Sequence, residues 1–302
     1  MIAARKHSKA RDRRAIRHHY DVSNDFFRLW LDTRMLYSCA YFEQASNDLE
    51  TAQTAKLHYI CRKLRLQPRM RLLDIGCGWG GLSIHAAKNC GVRVTGVTLS
   101  QQQASLASAR VGDTGLSSEV AIELTDYRDL NETEPFDAIV SVGMAEHVGA
   151  QNLNGYFQKA FRLLKPGGVF LNHAMGDGVR ARETRGGSFI QQYVFPDTDL
   201  PRIGMVASTA EAEGFEVRDV ENLRDHYMLT LRHWVRRIES AHEAVLRFVD
   251  EPTYRIWRLY MAGAAHAFEC GRLAVYQTLL SKPDRYGHSH LPLTRRDWYE
   301  MR

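Results

Sequence analysis

The feature that most constrains this chain is the run Asp74-Ile75-Gly76-Cys77-Gly78-Trp79-Gly80-Gly81, which follows the apolar stretch Arg71–Ile75 and opens a helical pattern over Leu82–Lys88. Glycines at that place let the backbone approach a ligand closely, and the helix beyond them offers free N–H groups. Such a turn belongs between a strand and its crossover helix, and the rest of the chain agrees. Val92–Leu99, Val120–Leu124, Phe136–Val142 and Gly168–His173 read as strands, with helices over Gln101–Arg110 and Asn154–Leu164. This alternation predicts an α/β fold, a mostly parallel sheet with helices on both faces. A helix near 202–213, a strand near 215–222 and a last strand at Leu273–Leu280 extend it.

Two stretches fall outside the alternation. Leu231, Trp234, Ile238, Ala241 and Val245 recur at helical spacing, as do Tyr254, Trp257, Met261, Ala264 and Phe268, with Pro252 between the two sets. They predict two long helices inserted before the last strand, whose aromatic-rich faces are packing faces that could also line an apolar groove. Ahead of the sheet, a short helix within Ser23–Leu31, capped by Ser23 or Asn24, precedes a second helix over 50–66. The expected organisation is a basic arm and helical cap over 1–70, a ligand-binding domain over 71–283 with a helical insertion at about 226–270, and an irregular tail over 284–302. Gly176–Pro201 reads as a long connection, of a length that is often functional.

The glycine turn alone would suit a dinucleotide. Against that, an acid at Asp74 precedes the glycines, and Gly96-Val97-Thr98-Leu99-Ser100 has no carboxylate where NAD-binding folds hold the ribose. Leu164-Lys165-Pro166-Gly167-Gly168 before a strand, with Phe136-Asp137-Ala138-Ile139-Val140, resembles the class I S-adenosylmethionine methyltransferases, which are Rossmann-like. Asp126, after the third strand, stands where that fold contacts the adenine amine; a turn aspartate is the plain alternative.

A narrower resemblance rests on His19-Tyr20-Asp21-Val22-Ser23-Asn24-Asp25-Phe26-Phe27, on Tyr37-Ser38-Cys39-Ala40-Tyr41-Phe42, on Asp74–Gly81, on Thr98-Leu99-Ser100 with Gln103, and on Val142-Gly143-Met144-Ala145-Glu146-His147-Val148. In order and spacing these are similar to the cyclopropane-fatty-acyl-phospholipid synthases and mycolic-acid cyclopropane synthases, from about residue 18 to about 281. The chain has the length of the mycobacterial members and is expected to lack the extra N-terminal domain of longer bacterial ones. The resemblance implies S-adenosylmethionine contacts from Tyr37, Ser38, Asp74, Gly76, Gly78, Gly80, Thr98, Ser100, Gln103, Asp126 and Tyr127. It also implies an active-site bicarbonate near Cys39, Val142, Glu146, His173 and Tyr227, with Tyr20 close by; Cys39 and Val142 would serve through backbone N–H groups. Two positions depart from the family. Ala264 stands where many relatives carry a cysteine, which excludes a thiol nucleophile there, and Tyr127 replaces a different aromatic pair.

The implied reaction transfers a methylene group to the cis double bond of unsaturated phospholipid acyl chains. A held alkene takes the methyl, and a bound bicarbonate takes a proton from the resulting cation so that a cyclopropane closes. Glu146 would accept the bicarbonate proton in a hydrogen bond, while His173 and Tyr227 donate to its oxygens. Read singly, Glu146 could sit on a solvent loop, His173 in the core, and Tyr227 in plain packing. Three rival readings stand beside this one: a methyl- or methylene-branched product, a small-molecule O- or N-methyltransferase, and a cofactor-binding sensor without catalysis.

The five cysteines form no CxxC pair and no metal-ligand spacing, which suits a reducing cytoplasm and no metal site. No apolar run reaches the ~20 residues of a membrane span. Arg5, Lys6, Lys9, Arg11, Arg13, Arg14 and Arg17, opposed only by Asp12, form a segment drawn to anionic surfaces, or else a solvated tail. It holds no aromatic residue, which argues against nucleic acid. The expected setting is cytoplasmic and peripheral to the inner membrane face; a homodimer is left open.

Overall fold

The computed structural model describes Lys9, residues 23–131, 134–181, Phe189, residues 193–194 and residues 199–299. Most of the basic arm, with Tyr20, and much of the 176–201 connection lie outside the described residues.

Seven strands form one sheet: β1 (Arg71–Ile75), β2 (Arg93–Thr98), β3 (Val120–Leu124), β4 (Phe136–Val142), β5 (Leu164–Asp177), β6 (Glu216–Asn222) and β7 (Leu273–Ser281), in the order β3-β2-β1-β4-β5-β7-β6. The pairs among β1 to β5 are parallel, and β7 runs antiparallel to both β5 and β6. This is the class I S-adenosylmethionine methyltransferase fold. Consecutive residues point to opposite faces of a strand, so the doublets Leu72-Leu73, Ile139-Val140, Phe170-Leu171 and Leu279-Leu280 supply both cores at once. One face packs α2 (Leu49–Lys63) and α3 (Gly81–Cys90) through Leu57, Ile60, Leu82 and Ala86. The other packs α5 (Leu153–Leu163) and α6 (Ile203–Ala212) through Tyr156, Phe157, Val206 and Ala210. The helix α4 (Gln101–Asp113) links β2 to β3.

A third core lies outside the sheet. The short helix α1 (Asn24–Arg28), capped by the Ser23 hydroxyl, packs against α7 (Arg224–Ser240) and α9 (Glu251–Glu269). Phe26, Phe27, Trp30, Trp234 and Trp257 are almost fully buried there, with ring centroids 5.3–5.9 Å apart in several edge and tilted pairs. Each such side chain removes a large apolar area from water, and the edge geometry adds a modest further gain.

Three expectations need correction. The first inserted helix is not continuous to Val245; it ends at Ser240, and a four-residue helix α8 (His242–Val245) follows. The strand expected at Gly168–His173 runs from Leu164 to Asp177, because β7 pairs with it along nine residues, Val169 to Asp177. The tail is not irregular throughout: α10 (Arg296–Tyr299) buries Trp298 against α2, where the cations Lys63, Arg65 and Arg295 gather round the ring.

Candidate active site

The strand order reverses between β1 and β4, and in sheets of this kind ligands bind at the carboxyl ends of the strands at such a switch point. A pocket of about 140 Å³ opens there. The ends of β1, β2 and β4 line it through Gly76, Gly78, Thr98, Val142 and Gly143, and Tyr127 stands beyond the end of β3. Gly78 has φ +55°, and a Cβ on it would face open space, so its backbone is bare toward the pocket. Gly81 is needed for close approach: a Cβ there would lie 2.8 Å from Arg34 O and 2.7 Å from Leu36 Cδ2. The glycine turn is thus pressed against the segment 32–38, which brings Tyr37 and Ser38 to the pocket.

That segment is held by buried polar groups. Asp32 accepts from the N–H groups of Leu36 (2.7 Å) and Arg34 (3.1 Å), and Gln53 Nε2 donates to Leu36 O (3.2 Å) and Ser38 O (3.0 Å). Lys56, one turn along α2 from Gln53, donates to Ser38 Oγ at 3.0 Å. Asp74 accepts from the Ser83 hydroxyl at 2.7 Å; burial pushes its carboxyl up to about 6, against the pull of Ser83 and Lys56. Thr98 Oγ1 donates to Gln103 Oε1 at 2.8 Å, and Ser100 Oγ accepts from Gln103 N–H at 3.3 Å, which starts α4. Trp79 packs on Phe27 at 4.9 Å, and its indole donates to Asn24 Oδ1 at 2.7 Å.

The expected cofactor residues divide into those that line the pocket and those that shape it. Tyr37, Ser38, Asp74, Gly76, Gly78, Thr98, Gln103 and Tyr127 line it. Ser100 is a buried helix cap, and Gly80, with φ +77°, turns the chain beneath the pocket with Ala107 against it. Asp126 does not present a free carboxylate: Arg128 engages both its oxygens, at 2.8 and 2.6 Å, leaving Thr125, Tyr127 and Arg128 on the lining.

A second, smaller cavity of about 40 Å³ shares Tyr37, Ser38, Gly143 and His147 with the first. Cys39, Glu146, His173 and Tyr227 complete its polar lining with Tyr260. Val142 lies on the cofactor side instead. Glu146 Oε1 accepts from Met175 N–H at 2.7 Å, while its Oε2 is buried without a hydrogen-bond partner. Burial pushes this carboxyl up to about 7, partly offset by the Met175 N–H. His173 lies on the strand face it shares with Met175, and its Nδ1 is 3.2 Å from Gln277 Nε2 on β7. An amide N–H donated to Nδ1 leaves the ring proton on Nε2, the buried nitrogen with no partner. Burial holds this imidazole down to about 3, so it is neutral. Burial also pushes the Cys39 thiol far above its ordinary range, which fits a role through its backbone rather than its sulfur. Ala264 is buried in the aromatic core, and Cys270 caps the end of α9, so no cysteine of that helix replaces the missing thiol within the cavity.

Sequence reasoning did not find Lys56, Gln53, Met175, Tyr260 or Gln277. Among the described residues no cluster of His, Cys, Asp and Glu could hold a metal.

The model of the family described as mycolic acid cyclopropane synthetase matches residues 7–278. A protein of Pseudomonas putida described as "Probable fatty acid methyltransferase" is 47% identical over 302 residues, covering 98% of this chain and 76% of its own. The cyclopropane-fatty-acyl-phospholipid synthase of Escherichia coli K12 is 42% identical over 264 residues, covering 87% of this chain and 66% of its own. The crystal structure of mycolic acid cyclopropane synthase CmaA1 complexed with SAH and CTAB superposes with a TM-score of 0.83 at 36% identity, over 89% of this chain and 97% of that one.

Proposed function

This chain belongs to the mycolic acid cyclopropane synthetase family and is an S-adenosylmethionine-dependent methyltransferase, and we propose that it cyclopropanates the cis double bonds of unsaturated phospholipid acyl chains. The observation that carries this reading is the pair Glu146 and His173, each with one buried, unpartnered polar atom, beside a cavity that adjoins the cofactor pocket.

S-adenosylmethionine, when bound, supplies an electrophilic methyl group. Tyr37, Ser38 and the glycine turn would hold the methionyl end, and Thr98, Gln103 and Tyr127, which line the same pocket, would frame the nucleoside. An acyl double bond that gains the methyl becomes a carbocation, and loss of a proton from the new methyl group lets the ring close. Little basicity is required, but water must be excluded because it would add to the cation. The aromatic core of α1, α7 and α9 provides that dry surrounding.

The donor set fits a small planar anion with one proton. Glu146 Oε2 would accept its proton and His173 Nε2–H would donate to it, with Tyr227 on the same cavity wall; a bicarbonate would suit this set and would supply a compact base. At neutral pH Glu146 is about half ionised, since its carboxyl titrates at about 7.

The same site would serve if the cation lost a different proton after a hydride shift, giving a methyl- or methylene-branched chain. Lipid analysis of a host expressing the protein tests both readings. A cyclopropane acyl chain, 14 mass units heavier and without the double bond, is the expected result, and an unchanged lipid profile with active cofactor binding would overturn it.

The substrate lies in a membrane, and among the described residues no helix is long and apolar enough to cross one. We infer peripheral contact through the basic arm. Its one described residue, Lys9, pairs with Asp129. Leu246 and Phe248, 40% and 43% exposed on either side of Arg247, offer a second apolar contact near the inserted helices.

A further inference from the structure

Lys56 is a fully buried cation on the wall of the cofactor pocket. Its side chain rises from α2 beneath the segment 32–38, and it lines the pocket together with Ser38, Asp74 and Gly76. An ammonium has three protons to donate, and the structure gives it one described acceptor, Ser38 Oγ at 3.0 Å. Asp32 and Asp74 act on it electrostatically, but neither forms an ion pair with it within 4.0 Å, in contrast to Lys63 on the same helix, which meets Glu221 at 2.5 Å. A buried ammonium with most of its donors unused is costly, and an anionic partner that reached it would relieve that cost.

The pocket shows which partner that is. Among the described lining residues, Lys56 and Arg128 are the Lys and Arg side chains; burial pulls the Lys56 ammonium down to about 8, so it is still mostly charged at neutral pH, and Arg128 is committed to Asp126 at 2.6 Å. S-adenosylmethionine and S-adenosylhomocysteine carry one anionic group, the α-carboxylate of the amino-acid end. We propose that Lys56 and the Ser38 hydroxyl it holds form the receptor for this carboxylate, with Asp74 supplying the opposite charge for the α-ammonium. The inference rests on the cofactor reading. It explains why α2, which packs on the sheet through Leu57 and Ile60, also carries buried polar groups at Gln53 and Lys56, one turn apart: both are fixed on Ser38. It also gives the pocket a way to choose between adenosyl thioethers that have the carboxylate and those that lack it.

The test is calorimetric binding of two ligands to the full chain: S-adenosylhomocysteine, and its decarboxylated analogue, which keeps the adenosine, thioether and amine. Wild-type protein should bind the first more tightly by ~10–100-fold, the range of a hydrogen bond to a charged group. Lys56→Met should bring the two affinities together by weakening the first alone. Equal weakening of both ligands, or undiminished discrimination, would overturn the proposal. Because Lys56→Met could disturb folding, the Lys56 side-chain ¹⁵N resonance of the wild-type protein gives a second readout. It should move on saturation with S-adenosylhomocysteine and stay in place with the analogue; the same movement with both would count against the assignment. Failure of both ligands to bind wild-type protein would remove the cofactor reading itself.

Discussion

Met175 N–H donates to one oxygen of Glu146 at 2.7 Å, so the carboxyl is fixed by a strand while its second oxygen is left to the cavity. A backbone donor cannot rotate away, and the free oxygen is therefore aimed as well as available.

Glu146→Gln keeps the shape and the Met175 hydrogen bond but replaces the acceptor. The expected loss in turnover is ~10²–10⁴-fold, with affinity for S-adenosylhomocysteine nearly unchanged. Bicarbonate-depleted assays should slow the wild-type enzyme, and added bicarbonate should restore it. Full turnover of Glu146→Gln without bicarbonate would rule out this role.

The raised titration of Glu146 has a defined sign. Its carboxyl ionises at about 7 in the fold and near 4.5 when unfolded, so the folded state holds the extra proton between those values. Stability contributed by this group is present below pH 4.5 and is lost as pH rises to about 7, by at most about 3 kcal/mol. Turnover moves the opposite way and should rise through pH 7, since the ionised form is the acceptor. Thermal melts at pH 5 and pH 8 check the first point: Glu146→Gln should gain on wild type by several degrees more at pH 8.

Gln277, whose side-chain amide lies 3.2 Å from His173 Nδ1 across the neighbouring strand, is placed to govern which ring nitrogen carries the proton. Gln277→Leu removes that control while keeping an apolar neighbour among buried residues. We expect a partial loss of turnover, ~10-fold, with unchanged cofactor affinity. The ¹⁵N shifts of the His173 ring should change from the Nε2–H pattern to a mixture of tautomers. An unaltered spectrum would show that the strand, not the amide, governs the ring.

Gly81→Ala tests the contact between the glycine turn and the segment 32–38. The new methyl would meet Arg34 O at 2.8 Å, a backbone atom that cannot swing aside. Weaker S-adenosylhomocysteine binding, by ~10-fold or more, should follow from displacement of Tyr37 and Ser38. Gly78→Ala meets no atom within 4 Å, so its cost should come from φ alone and from intrusion on the ligand.

Deleting residues 1–17 should reduce sedimentation with anionic vesicles, and salt should do the same to the full chain. Seven basic residues near such a surface contribute ~1 kcal/mol each at best, through a field that salt screens. Binding that survives the deletion but is lost in Leu246→Ser with Phe248→Ser would move the contact to the inserted helices.

Several elements were legible because local sequence decides them. Arg71–Ile75, Val120–Leu124 and Phe136–Val142 are short apolar runs closed by turns, and their ends match the structure. Residues that depend on distant partners were not. Gln53 and Lys56 sit in a helix whose polar sequence reads as surface; only the segment 32–38 lying over them makes them interior. Tyr260 falls between members of an apolar stripe and reads as a packing residue, yet it lines the smaller cavity. Gln277 gains its meaning from the register that sets it opposite His173. Trp298 stands beside Tyr299 in a charged tail, and no periodicity announced its burial.

The reversal of β7 has a bearing on how this protein can change. The chain leaves the sheet at Leu223 and returns beside it, with Leu223 N–H bonded to Val275 O at 2.8 Å. The three helices α7, α8 and α9 between these points are therefore a graft with adjoining ends, whose closure is already made by the sheet. Lengthening or repacking it adds only slowly to the entropy of closing the loop and leaves the ends of β1 and β2 untouched. One nucleotide-holding half can thus be fitted to acyl chains of different length and branching by exchanging a segment that the sheet does not need.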